Sequence, residues 1–209
     1  PWYLSAGGSP SRPMREDELA IHVLDHYAAT YEDAEVDLEE PYDADGRRGL
    51  VDVYARLRTP ERVDHVIELK GDAAVRRATG ANEVLRQFRR AERYFYGDPR
   101  HAVRPKLSRV GPAVHFLLLF APTPTCVHHV ATHARLYESV GVHARIDDVP
   151  AVRKVAFLTG FDGDPADLRF VSINDEASFG SPAFRAAVPE QSRLAESLRG
   201  VDDDLIRFE

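Results

Sequence analysis

The sequence predicts an α/β protein: a central mixed β-sheet flanked by helices, with a core in the order αβββαβ. Three observations predict it. A helical apolar period opens after residue 15, two alternating strands joined by a short turn follow, and a second amphipathic helix leads into the apolar run "AVHFLLLFA". A run of that length reads as a strand covered on both faces, which a sheet between helices provides.

From Arg15 to Tyr31, Ala20, Val23, Leu24, Tyr27 and Tyr31 recur at helical spacing behind an acidic start suited to the helix dipole. "AEVDLEE" is a short alternating strand, and "PYDADGRRG" carries the Pro, Asp and Gly of a turn. "LVDVYARLR" and "VDHVIELK" flank "TPE" and predict a β-hairpin. Over 79–96, Val84, Phe88, Ala91 and Phe95 lie along one side, as in a helix packed on a sheet. The Pro-rich, basic loop "GDPRHAVRPKLSRVGP" precedes the apolar strand. Beyond that strand the pattern gives a helix over 125–140, short strands near 141–147 and 152–159, and a helix-like tail broken at Pro189. No internal repeat is visible.

The predicted organisation is a flexible leader over 1–14, one domain over 15–175 and a helical extension over 176–209. The leader is rich in Gly, Ser and Pro, lacks the basic start and apolar core of a secretory signal, and leaves Met14 as a candidate start. With 209 residues, 44% of them hydrophobic, the chain can bury one sizeable core. No segment approaches the roughly 20 apolar residues of a membrane-spanning helix, so a soluble protein is expected. The single cysteine, Cys126, excludes an intramolecular disulfide framework and a cysteine-only zinc ribbon, and points to a reducing, cytoplasmic setting. Acidic residues outnumber basic ones 34 to 27, and only Lys70, Lys106 and Lys154 are lysines. Such a composition resembles that of proteins from halophiles.

The end of the hairpin concentrates charge. Glu68 and Lys70, two apart in a strand, project to one face. If the hairpin turns about Pro60, residues whose numbers sum to about 120 face each other, which sets Asp52 opposite Glu68. Opposed residues have Cβ atoms about 4.5–5.5 Å apart, and two carboxylates at that distance repel unless one is protonated, a base intervenes or a cation binds. Mg²⁺ suits such a site, because it takes one or two carboxylates and completes its shell with water and substrate phosphate. The bland alternative is a solvated face on which Lys70 pairs with one acid.

These residues resemble the PD-(D/E)xK nuclease superfamily, the restriction-endonuclease-like fold, over about residues 15–120. The matching pieces are the first helix, "GLVDVYARL" with its Asp, "VIELK" as the (D/E)xK motif, the helix containing Gln87 and the apolar strand. Here the Asp follows Val51 where the motif has proline. The resemblance implies that Asp52 and Glu68 hold Mg²⁺, or Mn²⁺, with the Leu69 carbonyl as a further ligand, and that Lys70 orients the attacking water. It also implies an acid from the first helix, for which Glu16 is favoured over Asp17 and Glu18, and a place for Gln87 beside the catalytic centre. It implies a nucleic-acid substrate, DNA ahead of RNA, in repair, recombination or defence. Many enzymes of this fold act as homodimers. A non-cutting nucleic-acid-binding or assembly module on the same fold is the alternative.

In an acidic chain, bases gathered locally mark a phosphate-binding surface. Arg86, Arg89, Arg90 and Arg93 lie on the helix after the motif, and Arg100, Arg104, Lys106 and Arg109 in the loop beyond. The competing reading pairs the helix arginines with Glu83 and Glu92. "CVHHVATH" sets His129 and His133 one turn apart near Cys126, but it lacks the acid of HExxH and a second Cys pair, so exposed helix histidines are expected. "LTGFDGDP" lacks the glutamate of a calcium loop and reads as a turn.

Overall fold

The computed structural model describes residues 12–206 apart from 60–61, 79, 99, 101–112, 147–148, 162 and 176, with side chains to Val201. Helix α1 (Glu16–Thr30) leads into strands β1 (Glu35–Ala44), β2 (Arg47–Leu57) and β3 (Val63–Lys70). Helices α2 (Asp72–Arg77) and α3 (Ala81–Phe95) then carry the chain to β4 (Ala113–Phe120). Helices α4 (Pro124–Thr132) and α5 (Ala134–Glu138) follow, then β5 (His143–Ile146), β6 (Val149–Thr159) and β7 (Arg169–Ser172). Helices α6 (Pro182–Ala187) and α7 (Arg193–Ile206) close the described chain. The strands form one mixed sheet in the order β1-β2-β3-β4-β6-β5, with β7 also paired to β6. None of the described helices is long and apolar enough to cross a membrane.

Strand β4 lies between β3 and β6 and runs parallel to both. A strand with neighbours on both edges and helices on both faces has little wet surface, which is why "AVHFLLLF" is apolar apart from the half-buried His115. Phe116, Leu118, Leu119 and Phe120 are fully buried, each contributing roughly 1.5–3 kcal/mol of transfer free energy.

The β2–β3 register is the one expected from the sequence, with paired residue numbers summing to 120. Leu57 faces Val63, and Val53 faces Ile67. The turn expected over "PYDADGRRG" is shorter than that: β1 runs on through Pro41 to Ala44, and Asp45 and Gly46 alone make the turn at φ 51° and 73°. A two-residue loop with both φ positive matches the twist of the strands it joins, and Pro41 is tolerated because β1 is an edge strand. The helix expected over 125–140 is broken at His133, whose φ of −119° and ψ of 20° separate α4 from α5. Helix α2 and strand β7 carried no period clear enough to be read beforehand.

Two buried polar clusters tie the layers together. Tyr54 Oη and Tyr96 Oη donate to Asp64 Oδ2 at 3.0 and 2.7 Å, joining β2 and β3 to the end of α3. On the α1 side, His65 hydrogen-bonds Tyr27 and stacks on His115 at 4.9 Å between ring centroids. Burial, then the neighbouring His115, pushes the His65 imidazole down from 6.5 to about 3. A base whose native pKa lies below its unfolded one stabilises the fold fully above pH 6.5, and that contribution is lost as pH falls toward 3. This group alone therefore steepens the acid limb by up to about 1.4 kcal/mol per pH unit. Urea unfolding between pH 7 and 4 should give a flatter stability profile for His65→Gln than for the wild type, and parallel profiles would contradict this.

Candidate active site

The acid–base cluster forms where β2 and β3 part company. Ladder pairing of these strands ends at Val53 and Ile67. Asp52 therefore does not complete a direct pair with Glu68; its Oδ2 accepts the Leu69 backbone N–H at 2.7 Å. The side chain replaces a ladder acceptor and is held at the split. Glu68 and Lys70 are both buried, with Lys70 Nζ 3.5 Å from Glu68 Oε2. The carbonyl of Lys70 accepts from Ala121 N at 3.0 Å and from Cys126 Sγ at 3.6 Å, which anchors the end of the strand.

Glu16 reaches this cluster through a close backbone approach. Met14 N donates to Asp72 Oδ2 at 2.9 Å, and Asp72 N donates to the Met14 carbonyl at 3.1 Å. This clamp lays residues 14–15 over Gly71, where a Cβ would stand 2.5 Å from the Met14 carbonyl oxygen. Glu16 Oε1 comes within 3.8 Å of Lys70 Nζ and has no hydrogen-bond partner among the described residues, though it is shielded from solvent. Asp17 turns instead to Arg15, and Glu18 lies 3.5 Å from Arg12. Gly71→Ala should push Met14 off Asp72 and lower stability by about 1–3 kcal/mol, read as a fall in Tm. An unchanged Tm would contradict the clamp.

Three carboxylates share one lysine, and their proton affinities show the imbalance. The Glu68 carboxyl is pushed up to about 8, first by burial and then by Asp52, against the pull of Lys70. Burial also raises Asp52, opposed by Lys70 and the Leu69 N–H and reinforced by Glu39. Glu16 is raised by burial first, with Lys70 opposing and Asp52 adding.

Glu39 had no motif to mark it. Its φ of 51° is left-handed within a strand, an uncommon conformation for a residue with a side chain. Register would place it across from Asp52, between the pairs Leu38–Val53 and Glu40–Val51. Leu38 lines a cleft with Ala20 and Ile21 of α1, whereas Tyr42, four residues on, sits by Arg90 of α3. The turn of the backbone at Glu39 accounts for this change of face. The cleft, about 650 Å³, is lined by Glu16, Glu39, Asp52 and Arg77, with Ile21 and Leu38 exposed on its wall.

Among the described residues, no three His, Cys, Asp or Glu side chains form a ready metal cage. The donor set nevertheless fits a hard divalent cation. Such ions take one or two carboxylates and fill the rest of their shell with water, and the unpartnered Glu16 oxygen and the excess of buried negative charge favour one here.

Gln87 is exposed, whereas the resemblance implies a place for it beside the catalytic centre. Ala81, Val84, Leu85, Phe88, Ala91 and Phe95 form that seam, and Gln87 flanks it, away from the cleft that holds Asp52. Arg86 lies 3.8 Å from Glu83, but Glu92 pairs with Arg153 of β6, Nε to Oε2 at 2.7 Å. Arg90 donates to the Arg48 carbonyl. Arg100 is committed to Asp98, which it holds well below the usual carboxylate range, and to the Pro41 carbonyl at 3.0 Å. Arg104, Lys106 and Arg109 lie outside the described residues. Cys126 is buried, its thiol pushed up to about 12, and His129 bonds Tyr137 Oη at 2.8 Å, so this segment packs and caps.

Comparisons with curated proteins and with solved structures gave no match. A family model, the PD-(D/E)XK nuclease superfamily domain, matches residues 14–202, and with most of its length covered the chain belongs to that superfamily.

Proposed function

We propose that this protein is a metal-dependent nuclease that hydrolyses phosphodiester bonds, in DNA ahead of RNA. One observation carries the reading: the Glu68–Lys70 pair is buried beside an Asp52 fixed on the Leu69 amide, with more negative charge than Lys70 can balance. Asp52 and Glu68, with Glu16 and the Leu69 carbonyl, would hold Mg²⁺ or Mn²⁺. Bound there, the cation would acidify a water and act as a Lewis acid on the phosphoryl oxygens.

The chain's own residues do the rest. The Leu69 N–H fixes the direction of the Asp52 carboxylate, so it needs no reorganisation when substrate arrives. The Lys70 ammonium, held between Glu68 and Glu16, orients the attacking water and offsets charge developing on the phosphate. Its stem is packed, which keeps the charge where it is required.

The test is incubation of labelled single-stranded and double-stranded DNA, and of RNA, with Mg²⁺ or Mn²⁺ and with chelator. Cleavage that requires metal is expected. Binding without cleavage of any of the three, at any metal concentration, would replace the nuclease with a binding module on the same fold.

A further inference from the structure

A groove of about 1010 Å³ runs beside α3 and the tip of the β1–β2 hairpin. Arg47, Arg48, Arg86, Arg89, Arg90 and Arg93 line it, in a chain whose net charge is −7. Glu92 is the one acid among the lining residues, and Arg153 already neutralises it. Arg48 pairs with Asp43 and Arg86 with Glu83, but both arginines are largely exposed, and such pairs exchange for other anions at little cost. Arg47, Arg89 and Arg93 form no ion pair with another described residue. This local excess runs against the charge of the whole molecule, so it marks a polyanion surface.

Arg90 donates to the Arg48 carbonyl and lies beside Tyr42, which packs the β1–β2 hairpin against α3. Tyr42 is buried in a slot that exists because residue 49 is glycine: a Cβ there would stand 2.2 Å from Tyr42 Oη. From Arg86 to Arg93 the helix rises about 10 Å, enough to meet about two to three successive phosphates of one strand. Of the lining aromatics Phe88 is buried and Tyr94 half-buried, so no exposed ring offers a platform for bases.

We propose that this groove is the track for the sugar–phosphate backbone on one side of the scissile phosphate. The groove holds the strand without regard to base sequence. This deepens the nuclease reading and rests on it for the direction of the track.

The test compares the wild type with Arg89→Glu/Arg93→Glu, and with Arg199→Glu on the exposed side of α7 as a charge control. Fluorescence anisotropy with labelled single-stranded and duplex DNA of two unrelated sequences is measured in chelator over a salt series. In the double variant, affinity should fall by more than about tenfold for both sequences, with Tm retained. The salt slope should fall by about 0.7 per lost contact on single strands, or 0.9 on duplex. The form with the larger loss is the one the groove carries. With Mg²⁺, KM should rise more than kcat falls. Unchanged affinity and slope in the double variant, an equal loss in Arg199→Glu, or no binding by the wild type would each overturn the track. Arginine-dependent binding by a wild type that never cuts would sink the nuclease reading and leave the groove as a nucleic-acid surface.

Discussion

Lys70→Met should lower metal-dependent cleavage by about 10³ while leaving divalent-metal binding in place. The loss follows from the position of the charge: a preorganised cation facing developing phosphate charge contributes about 10² to 10³, and orienting the water adds to that. Metal binding persists because the carboxylates of Asp52, Glu68 and Glu16 remain and have lost their competing cation. Without metal, at a pH high enough to ionise Glu68, the variant is strained, since removing one partner of the buried pair leaves that charge uncompensated at a cost of about 3 kcal/mol. Thermal unfolding should therefore show a larger Mg²⁺-induced rise in Tm than in the wild type. Cleavage within about threefold of wild type would remove Lys70 from the chemistry.

Glu68→Gln should stabilise the metal-free protein at alkaline pH and weaken its response to metal. The native carboxyl titrates near 8 against 4.5 for an unperturbed glutamate, because burial and Asp52 disfavour its charge. Between those values the native state holds a proton that the unfolded state has released, so wild-type stability declines as pH rises through the window. Gln carries no such proton and shows no such decline. In chelator at pH 8 the variant should exceed the wild type by on the order of a few kcal/mol. With saturating Mg²⁺ the ranking reverses, because the wild type gains binding free energy that Gln forgoes. A wild type whose metal-free stability is flat relative to the variant between pH 5 and 8 would contradict this reading.

Local signals carried much of the fold. Pro60 and the alternating strands around it were enough to place Val53 across from Ile67, because a hairpin register is set by its turn. The apolar run of β4, interrupted only by His115, announced a strand covered on both faces. The exposure of Gln87 was not legible, because a three- or four-residue spacing from Val84 and Ala91 describes the border of a helical stripe as well as its centre. The Asp52–Leu69 contact was invisible, since it depends on β2 and β3 separating after Val53, and no residue type encodes that. Glu39 and Tyr42 were missed for a related reason. Their roles come from a left-handed backbone and a glycine slot on the neighbouring strand, not from spacing within their own.

The most direct measurement is the cleavage rate of wild type and Asp52→Asn across a Mg²⁺ titration. Asn retains a side-chain oxygen for the Leu69 N–H and removes the charge alone, so the fold at the strand split is preserved. A fall of about 10³ or more at the highest metal concentration, with unchanged Tm in chelator, is the expected result. An Asp52→Asn protein that cuts as fast as wild type would show that the chemistry lies elsewhere.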